Sequence, residues 1–159
     1  SNLGGYYPSK VRELEVDGFV LSTVLHILEE HYLFERLNKK ELDRLGECID
    51  FCEFPTGEYL IKQGYEVPGI YLLHSGRVQV RLSDDPDELG EYNEVARLKK
   101  SDVFGEMSAV LKEPANASIM ALETVEAFII PRSVFRNFLD ENKSFSAAAY
   151  AIVFERRNR

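Results

Sequence analysis

Apolar positions change their period along this chain. From Asp17 onward Val20, Leu21, Val24, Leu25, Ile27 and Leu28 recur at helical spacing and form one apolar stripe, which predicts a first helix. Leu33, Phe34 and Leu37 continue as a short apolar element. Asn38 with Glu41 three positions later has the form of a cap and its reciprocal partner, and starts a second helix through Leu42, Leu45 and Cys48. After Ile49 alternation replaces the helical period, and turn residues recur at Pro55 to Gly57, Gln63 with Gly64, Pro68 with Gly69 and Ser75 with Gly76. Residues 77–82 alternate without a break, so Val78, Val80 and Leu82 are expected to face inward and Arg77, Gln79 and Arg81 to face water. Across the Ser75-Gly76 turn this strand is expected to pair with Ile70 to His74 as a hairpin.

Residues 83–91, SDDPDELGE, hold five acids and no base, and read as a solvated loop. Strand character returns from Tyr92 to Leu98. Val103 to Glu106 lead into an apolar cluster, Met107 to Leu111, that Pro114 ends. Ala117 to Leu122 and Val125 to Ile130 read as the last strands, Pro131 opens a helix carrying Phe135, Phe138 and Leu139, and Ser144 starts another. The expected organisation is a flexible lead-in at residues 1–12 and one domain at 13–159. Within it, N-terminal helices fill about 17–48, a β-roll about 49–130 and C-terminal helices about 131–157. Short strands broken by Gly turns predict a small antiparallel sandwich or barrel with helices on one end or side.

Composition narrows the function classes. The 159 residues carry 19 Lys plus Arg against 27 Asp plus Glu, a formal net charge of -8, whereas phosphate-tracking surfaces need clustered cations. No direct nucleic-acid partner is expected. No apolar run approaches the roughly 20 residues that span a bilayer, and no signal-peptide pattern opens the chain, so no membrane partner and a cytoplasmic location are expected. Cys48 and Cys52 lack a second ligand pair, so no metal site is predicted and both are read as small core residues. His26, His31 and His74 stand apart, with no nucleophile or carboxylate at a recognisable spacing, and an enzyme is not expected.

Five motifs in order carry more specific information: Leu33-Phe34-Glu35-Arg36-Leu37, Phe54-Pro55-Thr56-Gly57-Glu58, Ile61-Lys62-Gln63-Gly64, Tyr71 through Val78, and Phe104-Gly105-Glu106-Met107-Ser108. This succession resembles the cyclic nucleotide-binding domain family, which includes the bacterial catabolite activator and the regulatory subunit of protein kinase A. The resemblance covers about residues 30–155. It implies an eight-stranded antiparallel jelly-roll, mainly β with N-terminal and C-terminal helices, and a phosphate-binding cassette on the short helix between strands six and seven. In such a cassette a Gly lets the backbone approach the ligand, a Glu accepts the ribose 2'-hydroxyl, and helix amides face the cyclic phosphate. By position these are Gly105, Glu106 and the amides of Met107 and Ser108. For the residues alone, Gly105 also fits a tight turn and Glu106 also fits a helix cap.

The family places a phosphate-pairing Arg directly after the Pro that follows the cassette helix. Here the run is Pro114-Ala115-Asn116-Ala117-Ser118, and Ala115 stands at the Arg position. A charge-assisted hydrogen bond contributes about 1.5 to 3 kcal/mol and a buried charge partner about 2 to 5, so affinity for cAMP or cGMP is expected to fall by about tenfold to several thousandfold. Asn116 can donate to a ligand or bond within the loop, and Lys112 reaches the phosphate or stands solvated. Tyr150, on the last helix, covers a base or packs. That helix also suits a dimer seam, while its final Glu155-Arg156-Arg157 reads as a helix end whose cations suit the dipole.

Two functions follow. One is a non-enzymatic, ligand-sensing regulatory module without a resident cofactor, taking a cyclic nucleotide and passing its occupancy through the C-terminal helices to an output domain. The other is a degenerate domain that no longer binds nucleotide and serves as a protein-interaction or homodimerisation scaffold.

Overall fold

Local chemistry sets the helix starts. Asp17 accepts a hydrogen bond from the Val20 amide at 2.8 Å and begins α1, Gly18–Glu30, whose Val24, Ile27 and Leu28 are buried. That bond satisfies one of the amides a helix start leaves unpaired. Leu33, Phe34 and Leu37 are buried in the following turn. Then α2, Lys39–Gly46, opens on a full capping box: the Glu41 amide donates to Asn38 Oδ1 at 2.8 Å and the Asn38 amide to Glu41 Oε1 at 3.0 Å.

The computed structural model describes residues 5–83 and 91–158, so the acidic loop of the sequence reading lies, over 84–90, outside the described residues. Among the described residues the strands are β1 Arg12–Glu13, β2 Asp50–Phe54, β3 Tyr59–Ile61, β4 Gly69–Ser75, β5 Val78–Leu82, β6 Asn93–Leu98, β7 Val103–Phe104, β8 Ser118–Ala121 and β9 Val125–Pro131. They form two antiparallel sheets, ordered β1-β2-β9-β4-β7 and β3-β8-β5-β6. Between β7 and β8 lies α3, Glu106–Leu111; α4, Arg132–Glu141, and α5, Lys143–Arg157, follow β9. Helices and both sheets share one apolar core, in which Phe34, Phe54, Leu60, Ile70, Tyr71, Phe128 and Phe135 are fully buried. The Tyr71 hydroxyl on β4 donates to the Leu60 carbonyl on β3 at 2.8 Å, tying one sheet to the other. Burial of that polar group is satisfied by the bond.

Three sequence expectations are corrected. The expected hairpin of Ile70–His74 with residues 77–82 does not form: β4 pairs with β9 and β7, β5 with β8 and β6. Gly76, at φ +84, is a corner between the sheets, and a Cβ there would lie 2.5 Å from the Thr124 carbonyl oxygen. Along β5 Gln79 is buried and Leu82 exposed: Gln79 shares the face of Arg81 and is covered there by the Arg81 and Glu94 side chains, while Leu82 lies past the last pair with β8. Gln79 is satisfied there, donating to Glu94 Oε1 at 2.8 Å and accepting from Arg81 Nε at 2.5 Å. Cys52 is buried as a core residue, but Cys48 is exposed beyond the end of α2.

The lead-in, set apart for its lack of apolar periodicity, lies against the roll through polar contacts. The Tyr6 amide donates to the Glu66 carbonyl at 3.2 Å, its hydroxyl to Glu58 at 3.4 Å, and the Lys10 amide to Glu58 at 2.8 Å. Arg132 donates to the Tyr7 hydroxyl at 2.7 Å, and β1 pairs with β2.

Candidate functional site

The chain leaves β7 through Gly105, which caps α3 in the left-handed region at φ +86. A Cβ at Gly105 would lie 2.8 Å from the Gly69 carbonyl oxygen, so conformation and space both require Gly. The amide of Ala109 returns to the Gly105 carbonyl at 3.1 Å, which leaves the amides of Glu106, Met107 and Ser108 without intrahelical acceptors. At the far end Lys112 takes the left-handed conformation, at φ 57, and the Glu113 amide donates to the Ser108 carbonyl at 3.2 Å. The return limb is fixed to the turn after β3: the Ala115 amide donates to the Tyr65 carbonyl at 2.9 Å, and the Gly64 amide to the Ala115 carbonyl at 2.8 Å.

This excursion encloses a cleft of about 160 Å³. Its apolar wall is Ile61, Val67, Val80 and Ile119; Gly105, Glu106, Met107, Ser108, Ala115 and Asn116 from the sequence reading all line it. Ala115 is buried and Asn116 is exposed at the rim. Lys112 and Tyr150 do not line it. Lys112 is exposed, because the left-handed cap turns it off the end of α3, and Tyr150 is half-exposed on α5, stacked with Phe154 at a ring separation of 6.0 Å. Glu106 makes no capping bond; its Oε2 lies 3.6 Å from Nε2 of His31, whose Nδ1 accepts from the Leu33 amide. With Nδ1 accepting, the neutral ring carries its proton on Nε2, facing the carboxylate.

Sequence reasoning missed two lining residues that matter electrostatically, Glu113 and Arg157. Nη1 of Arg157, at the end of α5, lies 2.6 and 2.5 Å from the two carboxylate oxygens of Glu113. These partners are 44 positions apart, so no local pattern marks them. Glu113 holds the Arg157 guanidinium more firmly protonated than an isolated Arg. Two carboxylates and a single guanidinium thus line the cleft, and the guanidinium is already engaged.

Larger clefts exist, one of about 370 Å³ beside His26, His31 and Ser101 and one of about 300 Å³ between α2 and α4. The cassette cleft differs in joining unpaired main-chain amides to an apolar wall, the combination that orients a small ligand. Among the described residues no group of three His, Cys, Asp or Glu is placed to hold a metal ion, and no helix is long and apolar enough to cross a membrane.

Comparison with known proteins places this geometry. The cAMP-dependent protein kinase regulatory subunit of Emericella nidulans is 30% identical over 112 residues, which cover 70% of this chain and 26% of that protein. The chain therefore spans about a quarter of that relative's length. A cyclic nucleotide-binding domain from Methylobacillus flagellatus superposes with a TM-score of 0.71 at 19% identity, covering 94% of this chain and 84% of that one, a likeness of fold. The regulatory subunit of a cAMP-independent protein kinase A from Trypanosoma cruzi, solved bound to guanosine, superposes with a TM-score of 0.63 at 25% identity, covering 76% and 41%. Residues 51–142, from β2 through the cassette to the end of α4, match the family model for the cyclic nucleotide-binding domain, and the chain belongs to that family.

Proposed function

We propose that this chain is a non-enzymatic regulatory sensor whose cassette cleft takes a purine nucleoside in preference to a cyclic nucleotide, and whose occupancy moves α5. The observation that carries this reading is the charge of the cleft: Ala115 brings a buried methyl group where the family pattern has a guanidinium, and Arg157 is engaged by Glu113. A bound cyclic phosphate would meet the three helix amides but also the carboxylates of Glu106 and Glu113. Helix-end amides carry only about half a unit charge, less than a guanidinium supplies. Losing the charge-assisted bond removes about 1.5 to 3 kcal/mol, about tenfold or more in Kd, whereas a neutral nucleoside loses nothing. The guanosine-bound Trypanosoma cruzi relative supports such a ligand class.

Coupling to α5 follows from size. A cleft of about 160 Å³ is smaller than the roughly 300 to 1,000 Å³ of ordinary ligand pockets, so a nucleoside must widen it. Arg157 of α5 forms one wall, and α3 packs against both α4 and α5. A ligand that fits only the widened arrangement shifts the population towards it, and a partner protein or output domain reads the displaced helix.

Calorimetric titration with guanosine, adenosine, cAMP and cGMP tests this, using the native chain and Ala115→Arg at matched salt. The native chain is expected to bind a nucleoside about tenfold or more tightly than the corresponding cyclic nucleotide, and Ala115→Arg to reverse that order. Failure of the native chain to bind either nucleoside overturns the reading. A second reading, the dimerisation scaffold, is favoured by the exposed aromatic pair Tyr150 and Phe154 on α5. Sedimentation that gives a dimer abolished by Phe154→Ser supports it, and a monomer at every concentration removes it.

A further inference from the structure

The Glu113–Arg157 pair spans the mouth of the cleft, and the Arg157 guanidinium also lies 5.7 Å from the centre of the Phe154 ring, which stacks on Tyr150. The bonded Nη1 faces both Glu113 oxygens, and among the described residues the remaining guanidinium N–H groups have no acceptor. The side chains keep 41% and 48% of their exposure, and ion pairs this open contribute little to stability and exchange partners readily. The adjacent cation is committed elsewhere: the Arg156 guanidinium lies 3.6 Å above the Tyr32 ring. Lys112 turns away. Arg157 is thus the one guanidinium lining the cleft among the described residues, close to the chain segment that presents the unpaired amides of Met107 and Ser108.

Resting on the sensor reading, we infer that Glu113 is a specificity-determining residue: its carboxylate occupies Arg157, which otherwise serves as the cleft's anion receptor, and so selects against phosphate-bearing ligands. The carboxylate is a built-in competitor. A cyclic phosphate has to displace it and then lie beside it, two costs that an uncharged nucleoside does not meet. Because Glu113 follows the left-handed cap of α3 and its amide is bonded to Ser108, its backbone is held in place for this contact.

The test compares Glu113→Gln, Arg157→Gln and the double variant with the native chain, titrating adenosine and cAMP at one salt concentration. Glu113→Gln is expected to tighten cAMP binding about tenfold relative to adenosine, and the double variant is expected to lose that relative gain. A gain that survives in the double variant, a gain shared equally by adenosine, or no gain at all overturns the inference. A readout independent of nucleoside binding is the Arg157 Nε–H resonance during titration with inorganic phosphate. It is expected to shift in Glu113→Gln and stay still in the native chain. If neither adenosine nor guanosine binds the native chain but this resonance behaves as stated, the sensor reading fails and the competition between Glu113 and anions stands. A resonance unmoved in both proteins overturns the competition itself.

Discussion

At Gly105 two constraints act on one position, a left-handed backbone and the Gly69 carbonyl 2.8 Å from where a Cβ would sit. Gly105→Ala is therefore expected to destabilise the fold by about 1 to 3 kcal/mol. It should also displace the Met107 and Ser108 amides, visible as large amide shift changes across α3. Unchanged stability and spectra would show that the turn relaxes at no cost. The two thiols offer a second residue-level contrast. Burial first, then the Asp50 and Glu13 carboxylates, push the Cys52 thiol up from an ordinary 9.0 to about 11, whereas Cys48 is exposed. Near neutral pH the thiolate of Cys52 is thus rare as well as covered, and the thiolate is the reactive species. One thiol is expected to react quickly with an alkylating reagent and the second only on unfolding; two fast equivalents would contradict the burial of Cys52.

Among the elements, α2 depends most visibly on one residue. Eight residues long, it is too short to persist unaided, and its capping box ties two otherwise unpaired amides. Asn38→Ala is expected to cost about 1 kcal/mol in urea unfolding, and Asn38→Asp to restore most of it. Such starts were legible from sequence because a cap is local chemistry, three residues wide; the same holds for Asp17 before α1 and for the glycine-led turn into α3. Strand pairing is not local. Nothing between Ile70 and Leu82 distinguishes a hairpin from a corner joining two sheets, and it is the Thr124 carbonyl, from a distant loop, that fits against Gly76. The burial of Gln79 has the same origin, since the Arg81 and Glu94 side chains that cover it come together only when β5 and β6 pair. At the cassette, the residues that a contiguous motif carries, Gly105 to Ser108 with Ala115 and Asn116, line one cleft. Arg157 was read as a helix-end cation because its partner, Glu113, becomes its neighbour only when α5 folds back over α3.

On the scale of the whole molecule, the segment before α1 is laid on the roll by polar contacts of Tyr6, Tyr7 and Lys10 as well as by Leu14 against the core, and the Tyr6 contact makes its attachment sensitive to alkaline pH. The Tyr6 phenol is pushed up from an ordinary 10.0 to about 12, mainly by burial and then by the Glu58 carboxylate that accepts its hydrogen bond. Below about pH 10 the phenol is neutral in both folded and unfolded chains, and its contribution to stability is fully present. Between about 10 and about 12 the unfolded chain releases the proton while the folded chain retains it, so stability falls as pH rises; above about 12 both are ionised and the loss is complete. Tyr71 acts in the same direction, its phenol raised well above the ordinary value by burial, so the native chain loses stability on two accounts. Tyr6→Phe removes one of them. Its urea midpoint is expected to lie slightly below that of the native chain near pH 8, where the bond to Glu58 is lost, and the difference to close or reverse by about pH 11.5. Over the same range, protection of the Tyr6 and Lys10 amides from hydrogen exchange is expected to fall before that of β4 and β9, because ionisation of Tyr6 sets a phenolate beside the Glu58 carboxylate that also holds the Lys10 amide. Parallel midpoint curves for the two proteins would mean that the Tyr6 phenol titrates freely, and that β1, the Arg132–Tyr7 contact and the Tyr6 and Lys10 amide bonds hold the lead-in to the domain without it.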